Sequence, residues 1–319
     1  MTRYPQGLPQ LSDTLFITDG GIETTLIFHE GHHLPYFAAY DLLKQPFGTE
    51  SLRKYFCTYA QLAYLYGVGF VLESPTWRAS ADWGEKLGDS AEDLAALNRK
   101  SIELLHDIRE EYETDRSPMV VSGCVGPRGD GYSPTAMMSS QDAERYHTAQ
   151  IRTFREAGAD MASAITMTYP AEAIGITRAA QAAGLPVVIS FTVETDGRLP
   201  NGQTLQSAIE QVDNATEHGP AYYMINCAHP THFEHLFQVP ADWQERIRGI
   251  RANASIKSHA ELDEAETLDD GNPVELGAQY HKLRQQLPQL SVVGGCCGTD
   301  HRHIESIWQT CAGFVSAVT

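Results

Sequence analysis

The sequence predicts an α/β fold, a single (β/α)8 TIM barrel occupying residues 1–319, on three observations. Eight short apolar runs alternate with amphipathic stretches of helical period. No Gly-x-Gly-x-x-Gly follows the first run, which argues against a doubly wound sheet, the other fold this alternation permits. The residues with chemistry to offer stand directly after the apolar runs, where barrel enzymes carry their catalytic groups.

The elements follow in order. The first strand covers 15–18 and closes on Asp19-Gly20-Gly21. A helix over 50–66 stops at Gly67-Val68-Gly69 and precedes a strand over 70–74. Leu94, Leu97, Ile102, Leu105 and Ile108 recur at helical spacing within 91–113, and the strand 119–123 follows. Residues 141–157 are helical, ended by Gly158, before a strand over 161–167. The helix 171–183 stops at Gly184-Leu185-Pro186, and the strand 187–191 comes next. A helix near 204–217 leads to the strand 224–227, which Pro230 terminates. A helix is expected near 241–248, then a weak strand around 250–254. The segment 259–271, dense in Asp and Glu, reads as a solvated insertion. Helix 273–286, strand 290–293 and a last helix over 300–315 complete the set.

Composition narrows the function. A net charge of -18 disfavours nucleic acid and anionic membrane surfaces as partners. No apolar run reaches the ~18 residues that a membrane span needs, and the start lacks the apolar core of a signal peptide. Six cysteines in 319 residues, two of them adjacent, do not resemble a disulfide framework. Reduced thiols in a cytoplasmic protein are the expectation. The oligomeric state stays open.

The chemistry centres on Gly294-Gly295-Cys296-Cys297-Gly298-Thr299 at the end of the last strand. Neighbouring residues of a regular strand face opposite ways, so two convergent sulfurs require a broken strand end, which the glycines allow. Asn226-Cys227 ends the sixth strand in the same manner. Three thiols at two strand ends suit a catalytic zinc site whose fourth position is left for a substrate. Buried core thiols or a vicinal disulfide is the bland alternative. Asp19 also suits a plain turn, and Glu23 the first turn of a helix. His229, His301 and His303 read as surface or capping residues, while Cys57 and Cys311 read as structural and Cys124 as close to the pocket.

At these positions the chain resembles the homocysteine S-methyltransferases, a family that includes betaine- and S-methylmethionine-dependent enzymes and the homocysteine domain of cobalamin-dependent methionine synthase. Asp19-Gly20 with Glu23, Gly123 with Gly126-Pro127, Ile189-Ser190-Phe191, Asn226-Cys227 and the double-cysteine motif carry the resemblance, from about residue 13 to 310. It implies a homocysteine-binding barrel with Zn2+ held by Cys227, Cys296 and Cys297. The acceptor's thiol would bind the zinc and receive a methyl group from a sulfonium, a betaine or a similar donor, giving methionine. A free alkyl thiol has a pKa near ~8.5 and is mostly protonated at neutral pH, whereas coordination to zinc deprotonates it. Asp19 and Glu23 become the candidate catalytic residues, suited to a cationic donor or an amino-acid ammonium. Gly20, Gly21, Glu73, Thr166 and Asn226 become candidate substrate-binding residues. The partners are then a small thiol and a methyl donor, and a corrinoid donor would have to come from another protein.

The fourth strand departs from the family. Where a Glu-Thr pair is usual, this chain has Ile165-Thr166. Either another carboxylate takes the substrate ammonium, with Glu73, Glu172 and Glu194 as candidates, or the acceptor is a different thiol or selenol. A zinc- and thiol-binding barrel without methyl transfer is the reading from outside enzymology.

Overall fold

Eight parallel strands close on themselves in chain order in a computed structural model that describes residues 3–4, 7–12, 14–265 and 267–313. They are β1 (Phe16–Ile17), β2 (Gly69–Glu73), β3 (Met119–Val125), β4 (Met161–Met167), β5 (Val187–Phe191), β6 (Tyr223–Asn226), β7 (Ile247–Ala252) and β8 (Val292–Gly295). β1 pairs with both β2 and β8, which seals the barrel. The expected (β/α)8 TIM barrel is the observed fold.

Between the strands run α1 (Ile22–Thr24), α2 (Pro46–Tyr66), α3 (Ala81–Lys86), α4 (Ala91–Tyr112), α5 (Ser140–Ala157) and α6 (Pro170–Ala183). The second half carries α7 (Leu205–Thr216), α8 (Pro230–Phe233), α9 (His259–Asp263), α10 (Pro273–Gln286) and α11 (His301–Cys311). Local chemistry sets their ends. Gly67, Gly158 and Gly184 adopt left-handed conformations that stop α2, α5 and α6. Ser90 and Asp93 form a reciprocal cap on α4.

Successive residues of each strand face alternate layers, and both layers are apolar. In β2, Phe70 and Leu72 pack against helices while Val71 points into the barrel with Phe16, Val120 and Val188. Leu8 belongs to the same interior cluster, and the buried Gln10 reaches Met161 and Tyr222 across the lumen. The carboxyl end of the barrel is not filled; it opens into the cavity described below.

Two expectations are corrected. The helix near 241–248 is a 3-10 turn, Asp242–Arg246, and the seventh strand begins at Ile247, three residues earlier than expected. Arg248 and Arg251 interrupt the apolar run there and disguise a strand whose residues are almost all buried. The segment 259–271 is more than a solvated insertion. Glu261 and Glu264 do face water, but His259, Leu262 and Leu268 line the cavity. Of the last expected helix, positions 314–315 lie outside the described residues. No helix among the described residues is long and apolar enough to cross a membrane.

The glycines of the first and last strands are where the backbone is most crowded. A Cβ on Gly294 would stand 1.9 Å from Thr18 Oγ1, and one on Gly295 would stand 2.0 Å from Thr299 Oγ1. A Cβ on Gly21 would meet the Cys296 carbonyl oxygen at 2.6 Å. These positions let the turns after β1 and β8 interlock, and Gly21 N donates to the Thr299 carbonyl at 3.0 Å. Thr18 is buried and its hydroxyl is already bonded to the Asp19 carbonyl, so it cannot swing aside. Gly294→Ala is expected to cost about 1–3 kcal/mol in urea unfolding, the range for an overpacked core. Gly294→Ala combined with Thr18→Gly should recover most of that loss. No loss in the single variant would disprove the interlock.

Candidate metal and substrate site

The cavity at the carboxyl end of the barrel has a volume of about 400 Å³. Its floor is built by strand ends and its walls by the loops after them.

Three sulfurs meet on one side. β6 ends at Asn226, and Cys227 follows with φ of 54°, a left-handed conformation that non-glycine residues adopt at a cost of order 1–3 kcal/mol. β8 ends at Gly295, so Cys296 and Cys297 lie in the turn beyond it. That turn is held by Thr299, whose backbone N–H and hydroxyl both donate to the Cys296 carbonyl, and by Gly298 N donating to Thr24 Oγ1. The sulfurs of Cys227, Cys296 and Cys297 lie within 4.8 Å of one another. Cys227 and Cys296 are joined as a disulfide, with Cα atoms 5.4 Å apart.

Reduced, this donor set fits a zinc ion. Two thiolates on tetrahedral zinc with bonds of about 2.3 Å stand about 3.8 Å apart; Cys227 and Cys297 Sγ are 3.9 Å apart. Among the described residues no carboxylate or imidazole joins the three sulfurs, so a fourth position would face the cavity. His229 caps α8, and His303 is bonded to Asp300 and to the Asp270 carbonyl. Burial, with Glu23 nearby, pushes the Cys297 thiol up to about 11. Tyr132 lies over the cluster, its hydroxyl 3.8 Å from Cys297 Sγ and its ring against His259.

Beside the sulfurs, on the strand between β6 and β8, stands a charge network that the sequence did not announce. Arg251 of β7 is buried at the cavity floor and bonded to Asp19 (2.6 Å) and to Glu73, while its Nε donates to the Gly295 carbonyl at 3.1 Å. Tyr55 donates to the second Asp19 oxygen at 2.9 Å. Burial raises both carboxyl groups above their ordinary range, and the guanidinium opposes it. Burial also works against the charge on Arg251, but Asp19 and Glu73 outweigh it and leave the pKa above its ordinary value. An arginine inside a strand that ends in an active-site loop was the available signal.

The other expected residues fall into distinct places. Gly20 and Gly21 line the cavity, as do Glu73, Thr166 and Cys124. Thr166 has φ of 65° at an irregularity in the β4–β5 pairing. Asn226 lies behind Thr166 and not on the cavity wall. Its Oδ1 accepts from Thr166 N and Ser190 Oγ, and its Nδ2 donates to Thr166 Oγ1 and reaches Cys296 Sγ at 4.0 Å, so it ties the β4 end to the sulfur cluster. Ile165 is on the wall and carries no charge. Of the three carboxylates considered in its stead, Glu73 is committed to Arg251, and Glu172 is buried against His147 and Arg128 N. Neither Glu172 nor Glu194 lines the cavity.

Glu23 lines the cavity with no side-chain partner among the described residues, and burial raises its pKa to about 7. Arg78, also on the wall, lies between the Trp77 and Trp83 rings, 3.7 and 3.8 Å from their centroids. Burial lowers its pKa to about 10.

Fold and site together define a parallel barrel with a three-sulfur cluster and a closed ion-pair network at its carboxyl mouth. The chain belongs to the homocysteine S-methyltransferase family, whose model matches residues 16–311. It is 25% identical over 237 residues to a methionine synthase of Mycobacterium leprae and 26% identical over 241 residues to that of Mycobacterium tuberculosis. Each match takes in 69% of this chain but 18% of the relative's length, so this chain is similar to one part of much longer proteins. The homocysteine methyltransferase MmuM from Escherichia coli has the same fold. Its oxidised form superposes with a TM-score of 0.70 at 18% identity, and its metallated form with 0.68 at 19%. Both superpositions cover 93% of this chain and 96% of the other.

Proposed function

We propose that the protein is a zinc-dependent S-methyltransferase that moves a methyl group from a sulfonium, betaine or similar donor to the thiol of homocysteine, giving methionine. The observation that carries this reading is the convergence of three sulfurs, with one position open, on a cavity of small-molecule size in a member of this family. The metallated form of the Escherichia coli homocysteine methyltransferase supports it.

Cys227, Cys296 and Cys297 would hold the ion. Zinc would supply a thiolate at neutral pH without oxidising it, since it has no redox chemistry of its own. On binding there, the acceptor thiol would give up its proton to solvent. In the transfer the acceptor sulfur forms its bond to the methyl carbon as the donor's carbon–heteroatom bond breaks, and the donor leaves with that electron pair. Thr166, held by Asn226, shapes the wall beside the sulfurs. Tyr132 and His259 cover the cluster and limit the entry of water. The Asp19–Arg251–Glu73 network keeps the floor rigid and offsets one of its two carboxylate charges. Three thiolates require reducing conditions, in keeping with a cytoplasmic location.

Ile165 favours a second reading, in which the acceptor is a thiol or selenol with no ammonium group. One experiment separates the two: methyl transfer to homocysteine assayed in parallel with S-methylmethionine, S-adenosylmethionine, betaine and methylcobalamin, with zinc content measured. Turnover with any one donor at stoichiometric zinc is expected. Failure with all four, together with turnover of another thiol, would transfer the assignment to the second reading.

A further inference from the structure

The cavity holds two charged side chains whose partners are missing. Of its other carboxylates, Asp19 and Glu73 belong to Arg251. Asp130 accepts from the backbone N–H groups of Tyr132 and Ser133, and Asp269 accepts from Ser255 and pairs with Lys257. Glu23 has no hydrogen-bond or ion-pair partner on another side chain among the described residues. On the cationic side Arg251 is consumed by its two carboxylates. Arg78 is 5% exposed and gives one hydrogen bond, from Nη1 to the Gly129 carbonyl at 3.0 Å, while its Nε is buried with no acceptor. The two indole rings fix the guanidinium plane, so its free N–H groups are already oriented. Asp130 and, less strongly, Glu23 attract the Arg78 guanidinium, but among the described residues it forms an ion pair with neither.

A buried, unpaired charge is costly, and a donor left unsatisfied costs about 1–3 kcal/mol. Arg78, buried, and Glu23, partly buried, are unpaired groups of opposite sign lining the cavity that also holds the sulfur cluster, and together they complement a ligand with an ammonium, a carboxylate and a sulfur. We propose that Glu23 and Arg78 form a zwitterion clamp, Glu23 taking the ammonium and Arg78 the carboxylate of an α-amino-acid thiol acceptor. Rotamer restriction by the tryptophans makes Arg78 a preorganised fork for a planar carboxylate. Ile165 at the end of β4 offers the ammonium no charge, so that role falls to Glu23 in α1, after the first strand. The clamp rests on the thiol-acceptor reading above and names the acceptor's chemical class.

Calorimetric binding to the zinc-loaded, reduced protein tests it with three probes: homocysteine, 4-mercaptobutyrate (no ammonium) and 3-mercaptopropylamine (no carboxylate). The wild-type protein should bind homocysteine at least tenfold more tightly than either analogue. Loss of one hydrogen bond to a charged group corresponds to roughly 10- to 100-fold in affinity. Glu23→Gln should therefore weaken homocysteine and 3-mercaptopropylamine by that factor and leave 4-mercaptobutyrate unchanged. Arg78→Gln should show the mirror pattern, and Arg78→Lys, which keeps the charge should the glutamine variant not fold, should lose less. Equal losses for all three probes, or none, overturn the clamp while the thiol site stands. A wild-type protein that binds all three equally does the same. Binding of no thiol by the zinc-loaded wild type overturns the methyltransferase reading and the clamp together.

Discussion

Cys296→Ala is expected to abolish stoichiometric zinc and, with it, methyl transfer, while the barrel stays folded. At pH 7 only roughly 3% of a free thiol of pKa ~8.5 is ionised. Losing the metal therefore costs about 30-fold from ionisation alone, before any loss of alignment of the acceptor sulfur. Cys296 is only partly buried and lies in a turn outside β8, so its side chain contributes little to packing. Under reducing conditions the melting temperature should stay within a few degrees of the wild type. Metal analysis, circular dichroism and a methyl-transfer assay on the same sample check the three parts. Full zinc retention in the variant would sink the ligand assignment. Chelation of the wild-type protein should reproduce the loss of activity, and added zinc should restore it only there.

Arg251→Met has the second largest expected effect, and it falls on stability. Removing the guanidinium leaves Asp19 and Glu73 buried with no countercharge, a change that costs about 3–5 kcal/mol in comparable buried pairs. The melting temperature should drop by about 10 °C. The pH dependence identifies the cause. A carboxyl group whose folded pKa is raised is stabilising while protonated, and that contribution is lost as pH rises through the folded value. Both carboxyls are raised by burial even with Arg251 present, and more so without it. The gap between variant and wild type should therefore be wider at pH 8 than at pH 5. A gap of constant size would mean that only packing was lost. Adding Asp19→Asn and Glu73→Gln to Arg251→Met should recover part of the stability, because the stranded charges are gone.

The barrel was legible because its signals are local. Alternating runs, stop glycines and N-terminal caps each lie within a few residues of what they specify, and every strand falls on or near its expected run. The cysteine cluster was legible for the same reason: Gly294 to Gly298 and Asn226-Cys227 each mark a strand end, and a barrel brings all strand ends to one rim. Arg251 was not, since a charged residue in a weak strand reads as solvent-facing. Its partners stand 232 and 178 positions away, and only barrel closure brings them together. Arg78 escaped notice likewise. Nothing in Trp77-Arg78 by itself says that Trp83 completes the sandwich. Asn226, a substrate-binding candidate from its place beside Cys227, braces Thr166 and reaches Cys296 Sγ, a placement that depends on the backbone conformation of β4. The acidic stretch 259–271 misled because composition averages over faces, and its few inward residues are the ones that cover the cavity.

The bond between Cys227 and Cys296 closes a loop of 69 positions around the stave that carries Arg251. On a chain-entropy reckoning, such a tether removes freedom from the denatured ensemble worth about 4 kcal/mol. Oxidation thus toughens the molecule against heat at the same moment that it withdraws two of the three sulfurs a metal needs. Oxidised preparations should therefore melt higher and bind less zinc than reduced ones, which a thermal melt and a metal assay with and without reductant would check.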